Sequence, residues 1–189
     1  MRRFFAVGSI AAALMVGVWA VSSAQSKGAS FAGAWTLDKS KSEIGRMADF
    51  IQSMTWTITQ DDKQLTRETK VEQNPNAQAA GGGGGGGRGG GGGRGMGMGG
   101  GGPLTVKFDG SETTTESQRG KSTTKAKWAD GGKSLEITTT ANISGPNGDI
   151  TLTTVEHWEL ADGGKTLKVH RKTETPRGPM ENTLTFTKQ

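Results

Sequence analysis

Ala129-Asp130-Gly131-Gly132-Lys133-Ser134-Leu135 returns almost unchanged as Ala161-Asp162-Gly163-Gly164-Lys165-Thr166-Leu167. In each copy a tryptophan, Trp128 or Trp158, precedes the Asp-Gly-Gly run, and an alternation of apolar and polar residues follows it. Asp-Gly-Gly offers residues that accept positive φ, which tight hairpin turns require. The repeated unit is therefore a hairpin turn rather than a solenoid repeat. Gly-Lys-Ser and Gly-Lys-Thr also imitate the end of a phosphate-binding loop. The earlier glycine that such a loop needs is replaced by Lys127 and Glu159, and each copy leads into a strand rather than a helix.

Working outward, period-two alternation dominates. Met54, Trp56 and Ile58 alternate with Thr55, Thr57 and Thr59. The pattern recurs in Leu104, Val106, Phe108, in Leu135, Ile137, Thr139, Ala141, Ile143, in Leu167, Val169 and in Leu184, Phe186. One buried and one wetted face explain it, with β-branched Thr suited to the wet side. Gln60-Asp61-Asp62-Lys63 and Phe108-Asp109-Gly110 read as further turns. The expectation is an all-β protein, an antiparallel up-and-down barrel of about eight or nine strands. One stretch breaks the pattern. Ser40 and Glu43 have capping-box spacing, and Ile44, Met47, Ala48 and Ile51 share one helical face. They predict a short helix of about three turns after the first strand, placed to plug the barrel or to act as a lid.

Composition bounds the rest. The chain has 189 residues, no Cys and no Tyr, which excludes disulfides, thiolate zinc sites and a cysteine nucleophile. The formal charge of +5 is carried largely by Arg2, Arg3, Arg88 and Arg94, so the body is nearly neutral and gives no nucleic-acid footprint. Residues 1–24 read as a signal peptide: Arg2 and Arg3, an apolar run, then Ser22-Ser23-Ala24 for cleavage. The expected location is periplasmic or secreted, without stable membrane insertion once the leader is cleaved. Residues 25–189 are expected to form one domain, interrupted at 79–102 by a flexible Gly-rich insertion that has too few side chains with which to build a core.

Phe31-Ala32-Gly33-Ala34-Trp35-Thr36-Leu37-Asp38 places Gly-x-Trp on the first strand. Together with the hairpin meander this resembles lipocalin-like, calycin-type barrels, in particular small exported bacterial ones. The resemblance implies an interior for a small apolar ligand. It also implies that Trp35 is structural and closes one barrel end beneath a basic residue of a late strand, either Arg171 or Lys188. A helix after the first strand is closer to intracellular fatty-acid-binding barrels, but those hold a ligand carboxylate with Arg and Tyr, and Tyr is absent here.

The candidate ligand-binding residues are polar groups in phase with the buried face, Arg67, Glu156 and Arg171, and the aromatic walls Trp56, Trp128 and Trp158. A charge facing a barrel interior must be paired, hydrated or matched to a ligand. The competing readings are an internal Arg–Glu pair, or a bulge near Thr153-Thr154 that turns Glu156 outward. His157 and His170 fall on consecutive strands with only Glu159 and Glu181 as possible co-ligands, so surface histidines are expected and no metal or cofactor. No nucleophile elbow or Ser/His/Asp arrangement stands out, so a non-enzymatic binding protein is expected. The alternative is a structural or interaction protein of the cell envelope with a filled barrel.

Overall fold

A computed structural model describes residues 28–75, 102–117, 120–145 and 148–189. The expected leader and nearly all of the Gly-rich insertion lie outside the described residues. Ten strands are present among those described: β1 (Gly33–Leu37), β2 (Ile51–Gln60), β3 (Gln64–Gln73), β4 (Leu104–Lys107), β5 (Thr113–Ser117), β6 (Gly120–Ala129), β7 (Ser134–Gly145), β8 (Gly148–Ala161), β9 (Thr166–Thr175) and β10 (Gly178–Lys188). All pairings are antiparallel, in the order β4-β3-β2-β1-β10-β9-β8-β7-β6-β5. The sheet curls until β4 lies close to β6 and β5, giving a nearly closed up-and-down barrel.

The count exceeds the expected eight or nine. The short strands account for it: β5, Thr-Thr-Thr-Glu-Ser, has no apolar residue with which to announce itself. The repeated turns fold alike. Asp130 and Asp162 have φ of 51° and 52°, Gly131 and Gly163 of 67° and 66°, each in a single 3₁₀ turn. Asp130 accepts a hydrogen bond from Ser134 Oγ, and Asp162 accepts one from Thr166 Oγ1 at 2.6 Å.

The predicted three-turn helix is not formed. Lys39–Lys41 makes a 3₁₀ turn, capped by Asp38 rather than Ser40, and α1 spans only Met47–Phe50. Glu43 forms an isolated bridge with Thr183, and Ile51 already belongs to β2. The apolar spacing still marks buried positions: Ile44 is buried, and Met47 and Ala48 pack against the core. Tertiary pairing with β10 overrode helical propensity.

The Gly-x-Trp element behaves as the resemblance implied. Trp35 is fully buried, its Nε1 donates to Phe31 O at 2.8 Å, and Lys188 Nζ lies 5.1 Å from the ring centroid. Lys188, not Arg171, is thus the basic partner.

Candidate functional site

Register fixes which side chains point inward. Trp56 stands opposite Trp35 and Thr69, Ile58 opposite Arg67, Ile137 opposite Glu156, and Glu156 opposite Arg171. β8 pairs without a register shift through Thr153-Thr154, so the bulge that would turn Glu156 outward does not occur.

Arg67, Glu156 and Arg171 meet inside the barrel. Arg67 Nη1 donates to Glu156 Oε2 at 3.0 Å, Arg171 Nε donates to Oε1 at 2.9 Å with Nη2 on the same oxygen, and Trp158 Nε1 donates to Oε2 at 2.9 Å. The Arg67 guanidinium lies over Trp56 at 4.4 Å and faces Trp158 at 5.6 Å. Burial alone would raise the Glu156 pKa; Arg171, Arg67 and the Trp158 and Arg171 hydrogen bonds outweigh it and bring it down to about 2. The same desolvation lowers the pKa of Arg67 against the pull of Glu156, which is the electrostatic cost of keeping a guanidinium there.

This charged layer divides the interior. On the side of the Asp-Gly-Gly turns the barrel is filled. Trp56 stacks on Trp158 at 5.2 Å and tilts against Phe186 at 4.1 Å, while Phe31 meets Trp158 edge-on and stacks on Trp128. On the other side the inward positions continue as Thr69 and Val71, Thr154, Leu152 and Ile150, Thr173, and Asn182 and Met180. None of these is sealed, whereas Met54, opposite Val71, and Ile51, opposite Gln73, are buried at the same end. Among the described residues the exposed large hydrophobics are Phe50, Val71, Ile150 and Met180 at 51%, 40%, 41% and 59%. All four sit at this one end, and three of them face inward by register.

Two polar atoms at the layer have no hydrogen-bond partner among the described residues: Arg67 Nε and Asn182 Oδ1. Asn182 stands directly opposite Arg171. Sequence reasoning missed Asn182, although its phase with Leu184 and Phe186 carried the signal. A buried donor or acceptor left unpaired costs about 1–3 kcal/mol.

Of the six candidate residues, five converge: Arg67, Glu156 and Arg171 as the layer, with Trp56 and Trp158 packed against it, all sealed from solvent. Trp128 lies apart, half-buried against Phe31 and Phe108. It lines a solvent-open cleft of about 1350 Å³ at the filled end, between Gln60, Lys63, Phe108 and Gly132. Charged turns frame that cleft, and the other five candidates do not reach it.

The architecture is an all-β, antiparallel up-and-down barrel of ten strands among the described residues. The chain is similar in fold to a secretary abundant heat soluble protein from Ramazzottius varieornatus, at 12% identity over 86% of this chain and 98% of that one, TM-score 0.48. It is also similar to the zebrafish ileal bile acid-binding protein complexed with cholic acid, at 17% identity over 84% and 98%, TM-score 0.44. No protein family and no curated protein matches it by sequence.

Proposed function

We propose that the protein is an exported, non-enzymatic carrier that takes a small apolar or amphipathic ligand at the barrel end opposite the Asp-Gly-Gly turns. The carrying observation is the placement of Val71, Ile150 and Met180, inward by register yet exposed, at a single barrel end. Large inward apolar side chains left in water are a cost that a ligand removes. The Arg67–Glu156–Arg171 layer serves as the floor, and Arg67 Nε and Asn182 Oδ1, buried there without partners, become one donor and one acceptor for a polar ligand end once the side chains above them part. The wall between carries hydroxyl pairs such as Thr154–Thr173 at 3.0 Å, which suits an amphipathic cargo.

A packed, structural barrel of the envelope is the second reading. It is favoured by the sealing of Arg67, Glu156 and Arg171 at 3–6% exposure, since an anchor that greets a ligand directly is more open. Native mass spectrometry of the protein purified from its own envelope, beside solvent extraction, separates the two. A stoichiometric added mass recovered as one lipid or metabolite class supports the carrier, and Val71→Asp with Ile150→Asp should abolish it. A clean apo mass with no uptake of 1-anilinonaphthalene-8-sulfonate rejects the carrier in favour of the packed barrel.

A further inference from the structure

On the outer face, across the barrel wall from the layer, Asp130, His157 and Glu159 bring one ligand atom each to within 4.8 Å of one another. Asp130 comes from the β6–β7 turn, and the other two stand two residues apart on β8. His157 Nε2 lies 3.9 Å from Asp130 Oδ2 and 3.6 Å from Glu159 Oε1. A charge-assisted hydrogen bond would close to about 2.7–2.9 Å. Ligand atoms around a tetrahedral ion at about 2.0–2.2 Å sit roughly 3.3–3.6 Å apart; the His157–Glu159 pair has that spacing, and the wider separations, up to 4.8 Å, close by side-chain rotation at the surface. We propose that these three side chains form a surface site for a divalent metal ion of the zinc class.

The neighbourhood fits that reading. Ser134 Oγ donates to Asp130 Oδ2, the kind of outer hydrogen bond that orients a ligating carboxylate. Glu136, directly opposite His157 on β7, is engaged by Lys127 at 2.9 Å and is not counted as a ligand. A second imidazole, His170, stands opposite His157 on β9, its Nδ1 3.4 Å from Thr183 Oγ1. Thus one nitrogen and two oxygens are gathered with an exposed fourth position, a mixed set that suits Zn²⁺ better than an all-oxygen cation.

The molecule also contains its own control. The second Asp-Gly-Gly turn has the same backbone and the same Asp–hydroxyl bond. There the positions equivalent to His157 and Glu159 fall on β10 and are Thr185 and Thr187. The turn therefore does not itself require the histidine or the glutamate.

The test is calorimetric titration of the untagged full chain with Zn²⁺, with a parallel thermal melt. One saturable equivalent with micromolar affinity and a raised melting temperature are expected. His157→Ala should weaken binding by about tenfold or more and remove the thermal shift, and Asp130→Asn and Glu159→Gln should weaken it too. Asp162→Asn, in the copy without donors, should bind as the parent does. Asp130, Glu159 and Asp162 are exposed and His157 is half-buried on the outer face, so circular dichroism should show each variant folded. No saturable uptake, or uptake undiminished in folded His157→Ala, overturns the site.

Discussion

Arg67 reaches Glu156 across the barrel at 3.0 Å, joining residues 89 positions apart on strands that are not neighbours in the sheet. The contact is a strut between opposite walls. Its worth depends on what replaces it. Glu156→Ala leaves two guanidiniums buried around an empty site and should cost about 3–5 kcal/mol. Replacing all three residues together, by Arg67→Met, Glu156→Leu and Arg171→Met, should be neutral or stabilising by about 1–4 kcal/mol, because the desolvation of three charges disappears. Urea unfolding of the two variants measures both, and a single-residue loss under 1 kcal/mol would contradict the strut.

The same carboxylate sets an acid limit. Its folded pKa, about 2, lies below the ordinary 4.5, so its contribution is complete above the unfolded value and is lost as the pH falls through 4.5 toward 2. Stability should be flat from pH 7 to about 5 in this respect, then drop by about 3 kcal/mol by pH 2. Glu156→Gln should flatten most of that slope. The surface carboxylates with lowered pKa, half-buried Asp38 and exposed Asp61, Glu72 and Asp109, add smaller, solvent-screened contributions. Urea midpoints recorded across this range decide the matter.

Gly120 opens β6 at φ 137°, and a Cβ there would lie 1.9 Å from the backbone oxygen of Asn142. Gly163 has φ 66° but nothing within 4 Å. Gly120→Ala should therefore cost about 2 kcal/mol or more, because β6 and β7 must part locally. Gly163→Ala should cost only the left-handed backbone penalty, about 1–2 kcal/mol. Equal losses in chemical denaturation would show that the close approach does not matter.

Asp162 holds φ 52° and bonds Thr166. Asp162→Asn keeps both the tolerance for that backbone and an acceptor, and should cost less than about 0.5 kcal/mol. Asp162→Ala loses both and should cost about 1–2 kcal/mol. Thermal melts of the pair suffice.

Where a single face had to be buried, the barrel was readable from the chain. Trp56, Ile137 and Val169 announced their strands by alternation, and the repeated Asp-Gly-Gly placed two hairpins correctly. The same phase argument put Arg67, Glu156 and Arg171 inside. Local patterns failed where partners were distant. Ile44, Met47, Ala48 and Ile51 share helical spacing, but the Glu43–Thr183 bridge draws that stretch toward β10, and no window of adjacent residues contains that information. The choice between Arg171 and Lys188 over Trp35 was likewise set by β1–β10 pairing. Asp130 next to His157 was invisible for the same reason: it depends on where the β6–β7 turn lies against β8. Glu181, considered as a co-ligand, instead stands opposite Lys172.

The pairing of β1 with β10 also orders events in time. Most neighbours in this sheet are successive in the chain and can zip as soon as a hairpin exists. The seam between Trp35–Leu37 and Phe186–Lys188 cannot. Among the described strands it joins the first to the last, so a nascent chain must wait for residues 178–188 before β1 finds its second partner. Until then β1 offers an unpaired edge, and the slow, long-range step of folding is the one that closes it.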